Sequence, residues 1–281
     1  MSNDLPDIQG DEPRIKIPIK EVGVANVKVP FSMQSKYGGN KPMVANVSMR
    51  TNLDPDTKGI SMSRLIRTLK DYLDLPLKQT LIKQILEDLM KNVGSTESYM
   101  RFDFELPIVR KSILSDNEFP IFHPCRFEGQ MRGNEFKFFQ GAVVQYASYC
   151  PCSAELSNDL KEKGSNGFPH AQRSFAEILI ESKHGSYLWL EDIIESVERA
   201  IKTIPYPIIK RVDEQQIAKI AAENPIFVED AIRQISFEIN QLPEVYDWIV
   251  KCSHEESIHT SEAIAVNWKG KNNGFDYKFF L

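Results

Sequence analysis

Apolar positions along the chain switch between two periods. Residues 21–31 (EVGVANVKVPF) and 43–53 alternate loosely, which predicts two strands ahead of the turn signal Asp54-Pro55-Asp56. Met62, Leu65, Ile66, Leu69 and Leu73 then fall at helical spacing, with Ser61 as N-cap and Pro76 as the break. A second helix carries Leu81, Ile82, Ile85, Leu86, Leu89 and Met90 on one face and stops near Gly94. Alternation returns at 98–107, where Met100, Phe102, Phe104 and Leu106 oppose Arg101, Asp103 and Glu105. Further strands are predicted at 119–128, 134–147 and 173–183. Helical spacing resumes at 190–202 through Leu190, Ile193, Ile194, Val197 and Ile201. Shorter helices follow at 213–222 and 225–240, the latter with Asn224 as cap and Pro225 at its first position. Strands at 244–252 and 262–268 complete the pattern.

The predicted order is two strands, two helices and two strands, and then the same again with two or three helices. No residue-level repeat accompanies it, so duplication is read from element order alone. Such an order fits an α+β fold, antiparallel sheets with helices packed on one face, better than a parallel α/β fold. The expected organisation is a flexible tail over 1–15, a first module over 16–130 and a second over 131–281.

Composition narrows the classes. Over 281 residues, 42% are hydrophobic and 26% charged, which excludes a wholly disordered chain. No run approaches the ~18 apolar residues of a membrane span. The start, MSNDLPDIQGDEPR, has neither the basic nor the apolar region of a secretory signal. A net charge of −5 argues against a nucleic-acid partner. Cys125, Cys150, Cys152 and Cys252 are too few for a disulfide scaffold and are expected in the reducing cytoplasm.

The sharpest chemical signal is Cys150-Pro151-Cys152-Ser153, read as extended chain with both thiols on one side. A thiolate there serves as soft metal ligand or nucleophile, and two buried thiols packing as small apolar groups explain it equally well. His170 and His259 each read singly as structural histidines. Glu214 and Glu229 each read singly as solvated helix charges. His123, His184 and His254 have no supporting context. Together, a thiolate, two imidazoles and a carboxylate make a mixed site suited to a zinc-like ion. There is no HExxH, P-loop, GxGxxG or GxSxG pattern.

Several segments acquire meaning in order. Cys150-Pro151-Cys152-Ser153, His170-Ala171-Gln172-Arg173-Ser174, Lys210-Arg211-Val212-Asp213-Glu214, Glu223 through Asp230, and Glu256-Ser257-Ile258-His259 resemble the type IB GTP cyclohydrolases, bacterial enzymes that open folate synthesis. Gly59-Ile60-Ser61-Met62-Ser63-Arg64 is also similar, and the resemblance runs over roughly residues 20 to 268. The chain departs from the family at Ser61, where His is frequent, and in a longer 155–169 stretch.

The resemblance implies a tunnelling fold (T-fold) with two tandem modules and a homotetramer with sites at subunit interfaces. It implies hydrolysis of GTP to dihydroneopterin triphosphate and formate with a divalent metal, zinc first, manganese or iron otherwise. Cys150, His170, Glu214 and His259 are the implied metal set. Cys152 is the implied acid–base group and Glu229 the guanine anchor. Arg64, Arg173, Lys210 and Arg211 are candidates for the triphosphate. Two other readings stand beside this one. Glu181-Ser182-Lys183 is a short match to the NADPH-dependent nitrile reductases of queuosine synthesis, and Ser61 with the longer loop admits a non-catalytic metal- or pterin-binding T-fold protein.

Overall fold

Alternation becomes strand throughout, and all the strands but the last are longer than the pattern predicts. A computed structural model of the chain describes residues 8–276. It contains β1 (Ile19–Gln34), β2 (Asn40–Leu53), α1 (Met62–Lys70), α2 (Gln79–Val93), β3 (Glu97–Lys111), β4 (Glu118–Arg132) and β5 (Glu135–Tyr149). These are followed by α3 (Pro151–Glu162), β6 (Ala171–Ser182), α4 (Leu190–Ile201), α5 (Arg211–Glu223), α6 (Val228–Asn240), β7 (Val245–Glu255) and β8 (Ala263–Trp268). The strands follow chain order in the sheet, β1 to β8. The β1–β2, β2–β3, β6–β7 and β7–β8 pairings are antiparallel. The architecture is α+β, as the element order implied. Among the described residues no helix is long and apolar enough to cross a membrane.

The chain divides into two compact units, Met1–Glu105 with Arg126–Phe139, and Leu106–Cys125 with Gln140–Leu281. The expected junction at 130/131 falls inside β4, a strand with residues in both units. Of the expected tail, residues 1–7 lie outside the described residues. Residues 9 and 11 are tied down: Gly59 N–H donates to the Gln9 carbonyl at 3.1 Å, and Lys58 N–H to that of Asp11 at 3.0 Å.

In the first unit, a row of phenylalanines runs across the sheet. Phe31 meets Phe104 at 5.1 Å, Phe104 meets Phe127 at 5.3 Å, and Phe127 meets Phe138 at 5.6 Å. Each tilted or edge contact contributes about 0.5–1.5 kcal/mol beyond the area it buries. The looseness of the first alternation has a local cause. Between Val24 and Val27 the β1–β2 register shifts, and Asn26 sits at φ 58. An extra residue there flips the side-chain phase, as a β-bulge does. The apolar face of α2 (Leu81, Ile82, Ile85, Leu86, Leu89) is buried, as its spacing predicted.

Two expectations need correction, and a third holds with one qualification. Cys150 to Ser153 are not extended chain: Cys150 is the N-cap and Pro151 the first residue of α3. Proline suits that position, because its missing N–H would have no partner in the helix. Apart from Ser157, every residue of α3 is at least partly exposed, so no apolar stripe announces it. The final helix starts at Val228 behind Phe227, three residues later than expected. Asn224 instead ends α5, with Nδ2 donating to the Ile220 carbonyl at 2.7 Å. Ser61 occupies the N-cap of α1 but makes no capping hydrogen bond with its side chain.

Gly129 shows how closely α2 lies on the sheet. A Cβ there would stand 2.5 Å from Ile82 Cγ2 and 2.9 Å from Leu86 Cδ1. Gly129→Ala is therefore expected to destabilise the fold by about 1–3 kcal/mol, read as a lower urea midpoint. An unchanged midpoint would mean that the helix lifts freely off the strand.

Candidate functional site

The end of β5 organises the second unit. Cys150, the N-cap of α3, donates its backbone N–H to the His170 carbonyl at 3.3 Å. His170 returns its own N–H to Ser153 Oγ at 3.3 Å. These two bonds bring Cys150 and His170 side by side although nineteen residues separate them in the chain. Cys150 is half-buried, whereas Cys152, at the second position of the helix, is exposed.

The His170 ring sits in an oxygen-rich setting that spacing did not reveal. Nδ1 lies 3.0 Å from Gln172 Oε1, 3.4 Å from Ser257 Oγ and 3.8 Å from Glu256 Oε2. Gln172 Nε2 donates to the other Glu256 oxygen at 3.3 Å. Gln172 belongs to the His-x-Gln segment and Glu256 to the Glu-Ser-x-His segment. Both were visible as motif letters without a role.

The start of α5 is held by a buried carboxylate. Asp213 accepts from the backbone N–H of Leu114 at 2.8 Å, of Ser115 at 3.1 Å and of Lys210 at 2.8 Å, and from the Ser115 hydroxyl. The Ser115 hydroxyl contact first, and the three backbone donors with it, pull Asp213 down to about 2, against its desolvation. Asp213 thus fixes the helix end that carries Lys210, Arg211 and Glu214, all three exposed.

Glu229 is the second residue of α6, in a first turn that also contains Asp230 and favours negative charge. Its carboxylate is exposed and acts electrostatically on buried His254. His254 Nε2 lies 2.9 Å from the Tyr146 hydroxyl, and Tyr146 also bonds buried Cys252. Burial pushes His254 down to about 4, against the pull of Glu229, and pushes Cys252 up to about 12. His259 is exposed on the connection between β7 and β8. Arg173 is exposed on β6, opposite Glu255.

Arg64 belongs to the first unit. With Ser61, Gly59, Gly94 and Ser95 it lines a cavity of about 140 Å³. In the second unit, Cys150 and His170 supply thiol and imidazole donors that suit a zinc-like ion. Among the described residues no three His, Cys, Asp or Glu side chains gather closely enough to hold a metal ion.

A family model described as Type I GTP cyclohydrolase FolE2 matches residues 5–265. The chain belongs to this family. It is 32% identical over 271 residues to GTP cyclohydrolase FolE2 of Cereibacter sphaeroides, covering 95% of this chain and 76% of that protein. With FolE2 of Paracoccus denitrificans the identity is 31% over 272 residues, covering 95% and 84%. In fold, this chain is similar to uricase from Arthrobacter globiformis, with a TM-score of 0.59 at 8% identity over 93% of this chain and 97% of that one. It is also similar to a uricase from Bacillus fastidious, with a TM-score of 0.53 at 8% identity over 88% and 92%. These neighbours establish the T-fold for this chain and nothing about its chemistry.

The buried histidines set an acid limit on this fold. His123 is also pushed down to about 4, chiefly by burial. Both rings stay neutral when folded at a pH where the unfolded chain takes up protons. The stability this gives is complete above the ordinary imidazole value of 6.5 and drains away as pH falls toward 4. The expected slope is about 1.4 kcal/mol per pH unit for each ring. Urea midpoints should fall steeply across that window, before Asp213 begins to titrate. Midpoints independent of pH there would mean that the two rings protonate freely in the folded state.

Proposed function

We propose that the chain is a metal-dependent GTP cyclohydrolase of the type IB kind, which converts GTP and water to 7,8-dihydroneopterin triphosphate and formate in folate synthesis. The observation that carries the reading is the Cys150–His170 pairing at the head of α3, inside a chain that matches the FolE2 family along its length. Cys150 and His170 would be the core of the metal site, with Glu214 and His259 as the further donors. Zinc is the first candidate because a thiolate is among the donors, with manganese or iron as alternatives. When bound, such an ion supplies Lewis-acid activation of water near neutral pH.

The protein side chains do the rest. Glu229, at a helix N-terminus, presents an ionised carboxylate to the N1–H and 2-amino donors of guanine, a charge-assisted bidentate contact. Cys152, exposed on the first turn of α3, is positioned to carry protons as the imidazole ring opens and formate leaves. Lys210 and Arg211, presented by the Asp213-held helix end, take the triphosphate together with Arg173.

A homotetramer with sites at subunit interfaces accompanies this reading. Its support is the pair of sheet edges: β1 and β8 end the strand order, and Ile264 and Trp268 on β8 are exposed. The reducing cytoplasm suits the four thiols, none of which is in a disulfide. The nitrile-reductase reading loses its support, because Lys183 is occupied as a backbone clamp. Its N–H donates to the Glu244 carbonyl at 2.8 Å and its ammonium to that of Pro243.

The test is GTP incubation with Zn²⁺ or Mn²⁺, followed by oxidation and detection of a fluorescent pterin. Cys150→Ala is expected to lose metal and turnover while keeping its fold. Glu229→Gln puts an amide donor against a donor, so turnover should drop by up to ~10⁴-fold with metal content unchanged. If the metal leaves with Glu229→Gln and stays with Glu214→Gln, the two glutamates exchange roles. No pterin from the metal-loaded native chain would sink the reading altogether.

A further inference from the structure

Glu256, Gln172 and His170 form a chain whose hydrogen-bond directions are fixed from one end. A carboxylate only accepts, so Glu256 Oε1, 3.3 Å from the Gln172 amide, must face its nitrogen. The opposite orientation would set the amide oxygen against the carboxylate. With Nε2 committed to Glu256, Oε1 is the atom presented to the ring, 3.0 Å from His170 Nδ1. An amide oxygen cannot donate, so Nδ1 must carry the proton. Glu256 Oε2, at 3.8 Å, is beyond hydrogen-bond reach of the same nitrogen, and Ser257 Oγ, at 3.4 Å, can donate or accept, so neither sets the tautomer.

From this chain we infer that Gln172 is a positioning residue: held by Glu256, it fixes the His170 proton on Nδ1 and leaves Nε2 as the lone-pair nitrogen. Burial makes the device effective. Gln172 is 7% exposed, and the side chains of His170 and Glu256 are 14% and 17% exposed, so water competes poorly for these bonds. The chain also links the start of β6 to the connection after β7. The strand that carries Gln172 and the Glu-Ser-x-His segment are thereby held to one geometry. A ligating histidine works only through a deprotonated nitrogen, and its other N–H is ordinarily anchored in this way. The inference rests on the proposed function only in what Nε2 faces.

The experiment uses the full-length, metal-free chain with ¹⁵N-labelled histidine at neutral pH. Two-bond ¹⁵N–¹H correlations read which ring nitrogen is protonated, and His170→Gln identifies the signal. The native chain is expected to show His170 as the Nδ1–H tautomer. Gln172→Met, which keeps the bulk and removes the acceptor, should move it to Nε2–H. Glu256→Gln is the gentler variant, for use if the first does not fold. It frees Gln172 to turn and should give a mixture. A native Nε2–H tautomer overturns the inference, as does Nδ1–H retained in either folded variant. Zn²⁺ affinity by equilibrium dialysis is the second readout, with a loss of roughly 10–100-fold expected in Gln172→Met. A tautomer that moves while Zn²⁺ affinity stays native upholds the role of Gln172 and removes His170 from the metal site instead.

Discussion

The last residues of β5 are the support on which the second unit's chemistry hangs. Tyr149 accepts the Ile226 N–H at 2.9 Å, and Cys150 donates to the His170 carbonyl. One strand end thus ties together the head of α3, the lead-in to β6 and the lead-in to α6. Those segments carry Cys150 and Cys152, His170 and Gln172, and Glu229 in turn. Backbone hydrogen bonds at a strand end suit this task. They do not depend on the rotamers of the side chains they position, and buried donors and acceptors resist being left unpaired.

A division of labour runs through the site. The side chains proposed to meet substrate or metal are exposed or half-buried: Cys150, Cys152, Glu214, Glu229 and His259. Those that hold the site segments are buried: Gln172 and Asp213. Asp213 is the clearest instance. Three of its four acceptor contacts fasten the start of α5 to the turn after β3 and the fourth caps the helix, so the neighbouring Glu214 is aimed by a buried residue. Buried polar groups are costly unless fully paired, so such supports have little freedom to move.

Strand and helix order was legible because burial on one face writes a period into the chain. The spacing of Leu81, Ile82, Ile85, Leu86 and Leu89 foretold α2 with its buried face. α3 was illegible for the same reason. It presents no apolar face, and its only local mark, proline at the first position, also ends strands. The start of α6 was misplaced because Asn224-Pro225 carries a strong initiation signal. Local propensity lost there to a longer-range bond, Ile226 to Tyr149. The letters of the site were visible as motif segments, and their partnership was not. Neither Gln172 bridging His170 to Glu256 nor Asp213 reaching back to Leu114 leaves any periodic trace in the sequence.

The paired bonds at Cys150 and His170 also decide where this chain tolerates change in length. They close the 151–169 segment at its neck, so the excursion between them is a handle on a fixed hinge plate. Closing a longer excursion costs little, only about 0.6 kcal/mol for each doubling of loop length. Within it, Gly164 takes a left-handed turn at φ 78, and Leu156, Leu160 and Phe168 stand exposed. Beyond Ser153 the segment can therefore change in length while both residues at the neck keep their places.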